Sequence, residues 1–469
     1  SRLLTRSVLR RCLKGGMMRR PLLLSGCLTA LLLVAFAAIS SLRGGVVPVI
    51  LISIDGLKPD YVLEADKHKL KIPNLRRLVK EGSYATNVTG VEPTVTYPSH
   101  ATMITGVSPA KHGIYDNTSF DPFGKNRGGW YWYAEDIKVP TLWEAVNKAG
   151  GTTASVDWPV SVSAPIKYNI VQIWRSGASD DRKLIRALST PGLLTEAESK
   201  LGPYPEGYDY SIEADIVRAN FNVYLLETKK PRFQTVYFAG LDHEEHQHGP
   251  YSAEAFAGLE KIDEAVGKVR AAAETLGGGR AIICVVSDHG FSHTRRELRL
   301  NAALHAAKLI ELDENGRLKS WRAIAWGSGG SAAVMLKDPN DRGARDRIAV
   351  ALKDLADEED ACLFRFYEGE AARRLGGFPD AAFIVGVKPG CYLGGGFEAP
   401  ITRDSTPGGG HGYLPELEEM DSTFFITGPG VPAGRNLGRI DMRDIAPTLA
   451  SLLRVKLPSA EGQDVLKLK

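Results

Sequence analysis

Three runs of mostly β-branched and aliphatic residues punctuate the chain: VVPVILIS (residues 46–53), QTVYFAGL (234–241) and AIICVVS (281–287). Runs that are apolar throughout, without alternation, suit strands buried on both faces, as in a parallel sheet. Amphipathic helical patterns lie between them: LLTEAESK, residues 210–228, and AEAFAGLEKIDEAVGKVRAAAETLGGG, whose closing glycines suit a helix end. Strands alternating with helices predict an α/β fold, a doubly wound and mostly parallel sheet with helices on both faces. From about residue 291 to 406 the texture shifts to glycine-rich turns, one long helical segment and short strands such as SAAVMLK and AAFIVGVK, which predicts a smaller cap or insertion. Residues 441–455 return to an amphipathic helix.

Composition divides the chain at about residue 46. A formal charge of +3 includes eight Lys and Arg and no acid before that point, leaving −5 for the remainder. A mildly acidic body lacks the basic stripe that nucleic acid would demand. Basic residues ending in Arg19-Arg20 are followed by PLLLSGCLTALLLVAFAAISSL, the plan of a secretory signal peptide with small residues 35–41 for cleavage, or of a membrane anchor if it is retained. The expected division is thus a leader over residues 1–45 and a catalytic domain over 46–469, acting in the periplasm or secreted, and at the membrane only with the leader kept. Of the cysteines beyond the leader, Cys284 reads as a core thiol, while Cys362 and Cys391 are free to pair in an oxidising compartment.

The chemistry sits where the strands end. Asp55, Asp242 and Asp288 each close an apolar run, and ligands in open α/β sheets bind beyond the carboxyl ends of strands. Asp242 is followed at the fourth position by His246, Asp288 directly by His289, and His411 lies among glycines that permit close backbone approach. Carboxylates with imidazoles suit zinc, which takes nitrogen and oxygen ligands. In PTVTYPSHATMITG, Pro98 and Gly106 frame a helix with Thr96 at its start, where backbone N–H groups favour an anion. A threonine hydroxyl there needs a base or a metal to become nucleophilic. Taken singly, each aspartate reads as a turn residue, each histidine as structural and the threonine as a helix cap.

Ile54-Asp55-Gly56, Thr96-Tyr97-Pro98, HGIYDN ending at Asn117, the stretch from Asp242 to Pro250, Asp288-His289-Gly290 and His411-Gly412-Tyr413 occur in the order typical of a known family. Over residues 48–465 the chain resembles the nucleotide pyrophosphatase/phosphodiesterases of the alkaline phosphatase superfamily. That resemblance implies an alkaline-phosphatase-like fold and two Zn2+ ions, one held by Asp55, Thr96, Asp288 and His289, the other by Asp242, His246 and His411. It also implies Thr96 as nucleophile of a covalent phosphothreonine route, Asn117 on a phosphate oxygen, and Tyr97 and Tyr237 sandwiching a nucleobase. Trp158 and the aromatics of residues 130–133 are further candidates for the pocket wall. The implied substrate is a small phosphodiester, nucleotide or pyrophosphate.

Two other readings use the same residues. A phosphomonoesterase needs extra positive charge for a dianionic substrate, and where related monoesterases carry lysine and arginine this chain has Asp157-Trp158-Pro159. An exported but inactive metal-binding or recognition protein would be expected to lack a ligand or the nucleophile, whereas all seven are present. A sulfatase is disfavoured because the Cys-x-Pro-x-Arg motif is missing.

Overall fold

The six strands that frame the site are β1 (Val49–Ile54), β2 (Thr153–Val156), β3 (Tyr168–Ile170), β4 (Phe233–Phe238), β5 (Ile282–Val286) and β6 (Phe424–Thr427). This computed structural model describes residues 47–126, 129–174, 180–358 and 361–467. The expected leader, residues 1–45, lies outside the described residues. In the eight-stranded sheet the order is Arg435–Asn436, Ser83–Tyr84, β6, β5, β1, β4, β2, β3. Strands β5, β1, β4, β2 and β3 pair in parallel and β6 joins β5 antiparallel. Ile54 pairs with Phe238 and Ser53 with Val286, so β1, β4 and β5 finish at one level.

The absence of alternation in these runs follows from burial on both sides. Ile50, Ile52, Ile54, Val236, Phe238, Ile283 and Val285 pack into one apolar layer. Val49, Leu51, Phe233, Tyr237, Ile282, Cys284 and Val286 pack into the other. The covering helices are α1 (Pro73–Glu81), α2 (Thr96–Thr105), α3 (Ile212–Lys229), α4 (Gly240–His248), α5 (Ala253–Leu276) and α6 (Ile445–Leu453). Residues of α1, α3 and α5 join the first layer, and residues of α2 and α6 the second. Each fully buried aliphatic side chain contributes about 1.5–3 kcal/mol, so Ile52→Ala would cost about 2–5 kcal/mol. Ser211 and Ser252 start α3 and α5 by accepting the N–H of Ala214 and Ala255, each at 3.2 Å.

The region expected to form a cap builds its own apolar core around Val334, Ile348, Leu352 and Val385. A four-stranded antiparallel sheet there runs in the order Ala323–Ser328, Ser331–Leu336, Phe383–Val387, Leu363–Glu368. Beside it, Ser292–Leu298 lies between Gly390–Leu393 and Thr402–Gly410. Cys362 and Cys391 form a disulfide with Cα atoms 5.7 Å apart, and Cys284 is a buried free thiol. The strand Thr402–Gly410 leads the chain straight to His411. Among the described residues no helix is long and apolar enough to cross a membrane.

Candidate metal centre and active site

Asp55 directly follows β1 and Asp288 comes two residues after the end of β5; with Ser53 paired to Val286, the parallel register brings both carboxylates to the same edge. Asp242 arrives differently from the expectation. Its apolar run does not end in a strand; the chain turns into α4 at Gly240, and Asp242 sits in the first helical turn. Four residues on along the same helical face, His246 Nε2 comes within 3.4 Å of Asp242 Oδ1, and His411 Nε2 within 3.6 Å. His289 Nε2 lies 3.2 Å from Asp55 Oδ1 and 3.4 Å from Asp288 Oδ2. The ligand atoms of Asp55, Asp288 and His289 form one group, and those of Asp242, His289 and His411 an overlapping one. The rings of His289 and His411 stack with centroids 3.6 Å apart.

One half of each side chain is fixed and the other half is turned inward. The Nδ1 atoms of His246, His289 and His411 face the carbonyl oxygens of Gly409, Gly290 and Thr94 at 3.1, 3.1 and 3.2 Å. A carbonyl only accepts, so Nδ1–H donates and each Nε2 keeps its lone pair for the cluster. Asp55 Oδ2 accepts from the Tyr237 hydroxyl. Asp288 Oδ1 accepts from the N–H of Gly56 and of His289, at 3.2 and 3.1 Å. That leaves Asp55 Oδ1, Asp242 Oδ1, Asp288 Oδ2 and His289 Nε2 buried without a hydrogen-bond partner. Buried polar atoms are rarely left so, and four that converge make a fitting cradle for a cation. Without one, burial and then the neighbouring carboxylates hold Asp55 well above the usual carboxylate range. Burial and Asp242 push Asp288 up to about 7. Burial lowers His411 to about 4 and holds His289 well below the ordinary histidine range, so both imidazoles stay neutral and able to ligate.

Glycine makes this closeness possible. Gly56 has φ +74°, and a Cβ there would fall 2.6 Å from Glu245 Oε2; one on Gly409 would fall 2.3 Å from the Glu245 carbonyl oxygen.

Thr96 is the first residue of α2, after the extended Val95, and Gly106 in the left-handed region ends the helix. Thr94 Oγ1 donates to the Tyr413 carbonyl at 2.6 Å while His411 Nδ1 donates to Thr94, so two bonds tie the threonine loop to the last ligand. Asn117 Oδ1 accepts the Tyr97 N–H at 2.8 Å. That bond engages the Tyr97 N–H and turns the amide end of Asn117 away from it. His100 donates from Nδ1 to the Thr96 carbonyl (2.7 Å) and accepts on Nε2 from Ser53 Oγ (2.9 Å). Burial lowers it to about 3, consistent with this neutral tautomer.

Thr96, Asn117, Asp242, His246 and His411 open onto one cavity of about 520 Å3 whose far wall is Trp130, Trp174, Tyr208 and Tyr210, with His243 and Gln247 beside them. Trp130 and Trp174 stack with centroids 5.5 Å apart. The structure leaves no open face on Tyr97 and Tyr237, expected to sandwich a base, or on Trp158, expected on the pocket wall: each is 0% exposed. Tyr97 donates its hydroxyl to Gln172 Oε1 at 2.8 Å, Tyr237 serves Asp55, and Trp158 packs on His100 at 4.8 Å. Of the aromatics on the wall, only Trp130 stood among the sequence candidates. The loop sequence crowds Tyr208 and Tyr210 together with Tyr204, which is a signal for those two, while Trp174 stands alone in its loop.

Comparison with known proteins identifies the family and the fold. Rat ectonucleotide pyrophosphatase/phosphodiesterase family member 1 is 24% identical over 257 residues, 52% of this chain and 24% of its own length. Venom phosphodiesterase CdcPDE of Crotalus durissus collilineatus is 26% identical over 234 residues, 47% of this chain and 23% of its own. The chain thus spans about a quarter of the length of these relatives. Human ectonucleotide pyrophosphatase/phosphodiesterase 5 superposes with a TM-score of 0.62 at 21% identity, covering 90% of this chain and 100% of that one. The murine protein, solved also as an inactive variant in complex with AMP, gives 0.63 at 20% identity. These neighbours establish the alkaline-phosphatase-like fold. With the model of type I phosphodiesterase / nucleotide pyrophosphatase matching residues 49–414, the chain belongs to that family.

Proposed function

We propose that the protein is an exported two-zinc phosphodiesterase or pyrophosphatase that cleaves nucleotide-type substrates through a phosphothreonine intermediate. The observation that carries this reading is the set of partnerless buried ligand atoms, Asp55 Oδ1, Asp242 Oδ1, Asp288 Oδ2 and His289 Nε2, beside Thr96. Asp55, Thr96, Asp288 and His289 would hold one zinc, and Asp242, His246 and His411 the other. The donors fit zinc: carboxylate oxygens and imidazole Nε2 atoms whose Nδ1–H groups are already oriented by carbonyls. Bound zinc supplies Lewis acidity, easing ionisation of an alcohol and neutralising charge on phosphate.

Thr96 Oγ1 attacks phosphorus, the P–O bond to the leaving alcohol or phosphate breaks, and the retained group stays esterified to Thr96. Water then attacks the same phosphorus, and Thr96 regains its proton. Asn117 Nδ2 donates to a non-bridging oxygen, and His100 fixes the Thr96 backbone while charge passes through Oγ1. The aromatic wall of Trp130, Trp174 and Tyr210 takes over the base-binding part from Tyr97 and Tyr237. A singly charged diester is favoured over a monoester dianion, since no lysine or arginine stands among the described residues lining the cavity, while Asp242 does. The Cys362–Cys391 disulfide supports an oxidising, periplasmic or extracellular setting. Assay of the zinc-loaded protein on a nucleotide diester, a glycerophosphodiester and a phosphate monoester tests the reading; faster turnover of the monoester overturns the diesterase assignment.

A further inference from the structure

We propose that Arg218 is a positioning residue that locks the aromatic wall of the cavity to both the nucleophile helix and a metal-binding helix. Its guanidinium, on α3, is 2% exposed and reaches in three directions. Nη1 donates to Asp215 Oδ1 at 2.9 Å, and Asp215 in turn accepts the N–H groups of Ala239 (3.1 Å) and Gly240 (2.7 Å) where α4 begins, two residues before Asp242. Nε lies 2.9 Å from Asp157 Oδ2, a charge contact without the alignment of a hydrogen bond. Asp157 Oδ2 also accepts from Gln172 Nε2 at 3.5 Å, and Gln172 Oε1 takes the hydroxyl of Tyr97, the neighbour of Thr96. Nη2 donates to the carbonyl of Asp209, between Tyr208 and Tyr210 of the wall. Gln172 is itself two residues from Trp174.

Stability alone gives little reason for this arrangement. A buried arginine between two buried aspartates loses about as much in desolvation as it gains in attraction, and apolar residues of similar volume serve as well. What an apolar residue lacks is the rigid planar fork, which fixes three partners in set directions. The partners here are the start of α4, the aromatic loop and, through Gln172, the start of α2. Arg218 touches neither substrate nor ligand atoms; it sets the distance between the wall that would hold the retained group and the atoms that would react.

This inference rests on the diesterase reading, and its test separates the two. Two esters share p-nitrophenolate as leaving group and differ in the retained group: the p-nitrophenyl ester of thymidine 5′-monophosphate and methyl p-nitrophenyl phosphate. Arg218→Lys keeps the charge and loses the fork. In the zinc-loaded full chain it should lower kcat/KM for the thymidine ester at least about tenfold more than for the methyl ester. Chelator competition should show one of the two zinc ions held about tenfold more weakly, through the displaced start of α4. A common factor for both esters, or unchanged affinity at both zinc sites, overturns the proposal. If Arg218→Lys does not fold, Asp157→Asn cuts the arm to Gln172; Asp157 has φ +60°, which asparagine tolerates well. That variant is read on the ester ratio, and an unchanged ratio overturns the proposal. A wild type inert on both esters overturns the diesterase reading itself.

Discussion

Tyr237→Phe distinguishes the role the structure gives this residue from the base-stacking role its sequence position suggests. The phenol is 0% exposed, and its hydroxyl donates to Asp55 Oδ2, which leaves Oδ1 turned into the cluster. Phenylalanine removes one oxygen and keeps the ring against His100, whose centroid is 4.9 Å away, so the core stays filled. What is lost is a hydrogen bond to a carboxylate, worth about 1.5–3 kcal/mol. Loss of a group that orients a metal-binding carboxylate typically costs 10–100-fold in affinity, or about 1.4–2.8 kcal/mol. The two ranges coincide, so zinc at the Asp55, Asp288 and His289 site should bind about 10–100-fold more weakly by chelator titration. Activity at limiting zinc should fall by a similar factor, equally for a nucleotide ester and for methyl p-nitrophenyl phosphate, and should return at excess zinc. A KM increase confined to the nucleotide ester, with zinc affinity unchanged, would refute this reasoning and restore the stacking role.

Other perturbations bear on other parts of the account. Elemental analysis should find two zinc ions per wild-type chain and about one in Asp242→Ala or His411→Ala; no zinc in the loaded wild type contradicts the metal assignment. Glu92 is fully buried and pushed up to about 8 by burial, while its unfolded value is about 4.3, so the carboxyl is favoured in its neutral form in the folded protein. Its contribution to stability is complete below about pH 4 and is lost as pH rises towards 8. Glu92→Gln should therefore raise the thermal midpoint at pH 9 and change it little at pH 5, and equal shifts at both would exclude this carboxyl as the cause. Replacing Cys362 and Cys391 by serine opens a loop of sequence separation 29. Chain entropy sets the loss at about 3–4 kcal/mol at most, read from the urea midpoint, with kcat unchanged.

The sheet was legible because its central strands are buried on both faces and therefore read as unbroken apolar runs. Asp55 and Asp288 could be placed from those runs alone. Asp242 was misplaced by the same logic: Leu241 is buried in the first turn of α4, and an apolar residue looks alike at a strand end and a buried helix start. Tyr97 follows Thr96 in sequence, yet successive residues on a helix point roughly 100° apart, so the ring enters the core while the threonine faces the cavity. The wall itself is drawn from loop residues such as Trp174, Tyr208 and Tyr210, where no periodicity announces which way a side chain turns. Arg218 lay hidden for a related reason, since an arginine within an amphipathic helix reads as a solvated charge until its two buried aspartates are seen.

The central claim is that Thr96 becomes covalently bound to phosphorus. Hydrolysis of a nucleotide phosphorothioate diester of known configuration in isotopically labelled water tests it most directly, through the stereochemistry of the product. Two successive in-line displacements, first by Thr96 and then by water, give net retention at phosphorus, and Thr96→Ala should be folded and lack this turnover. Inversion, with substantial activity left in Thr96→Ala, would mean that water attacks in a single step and that Thr96 is no nucleophile.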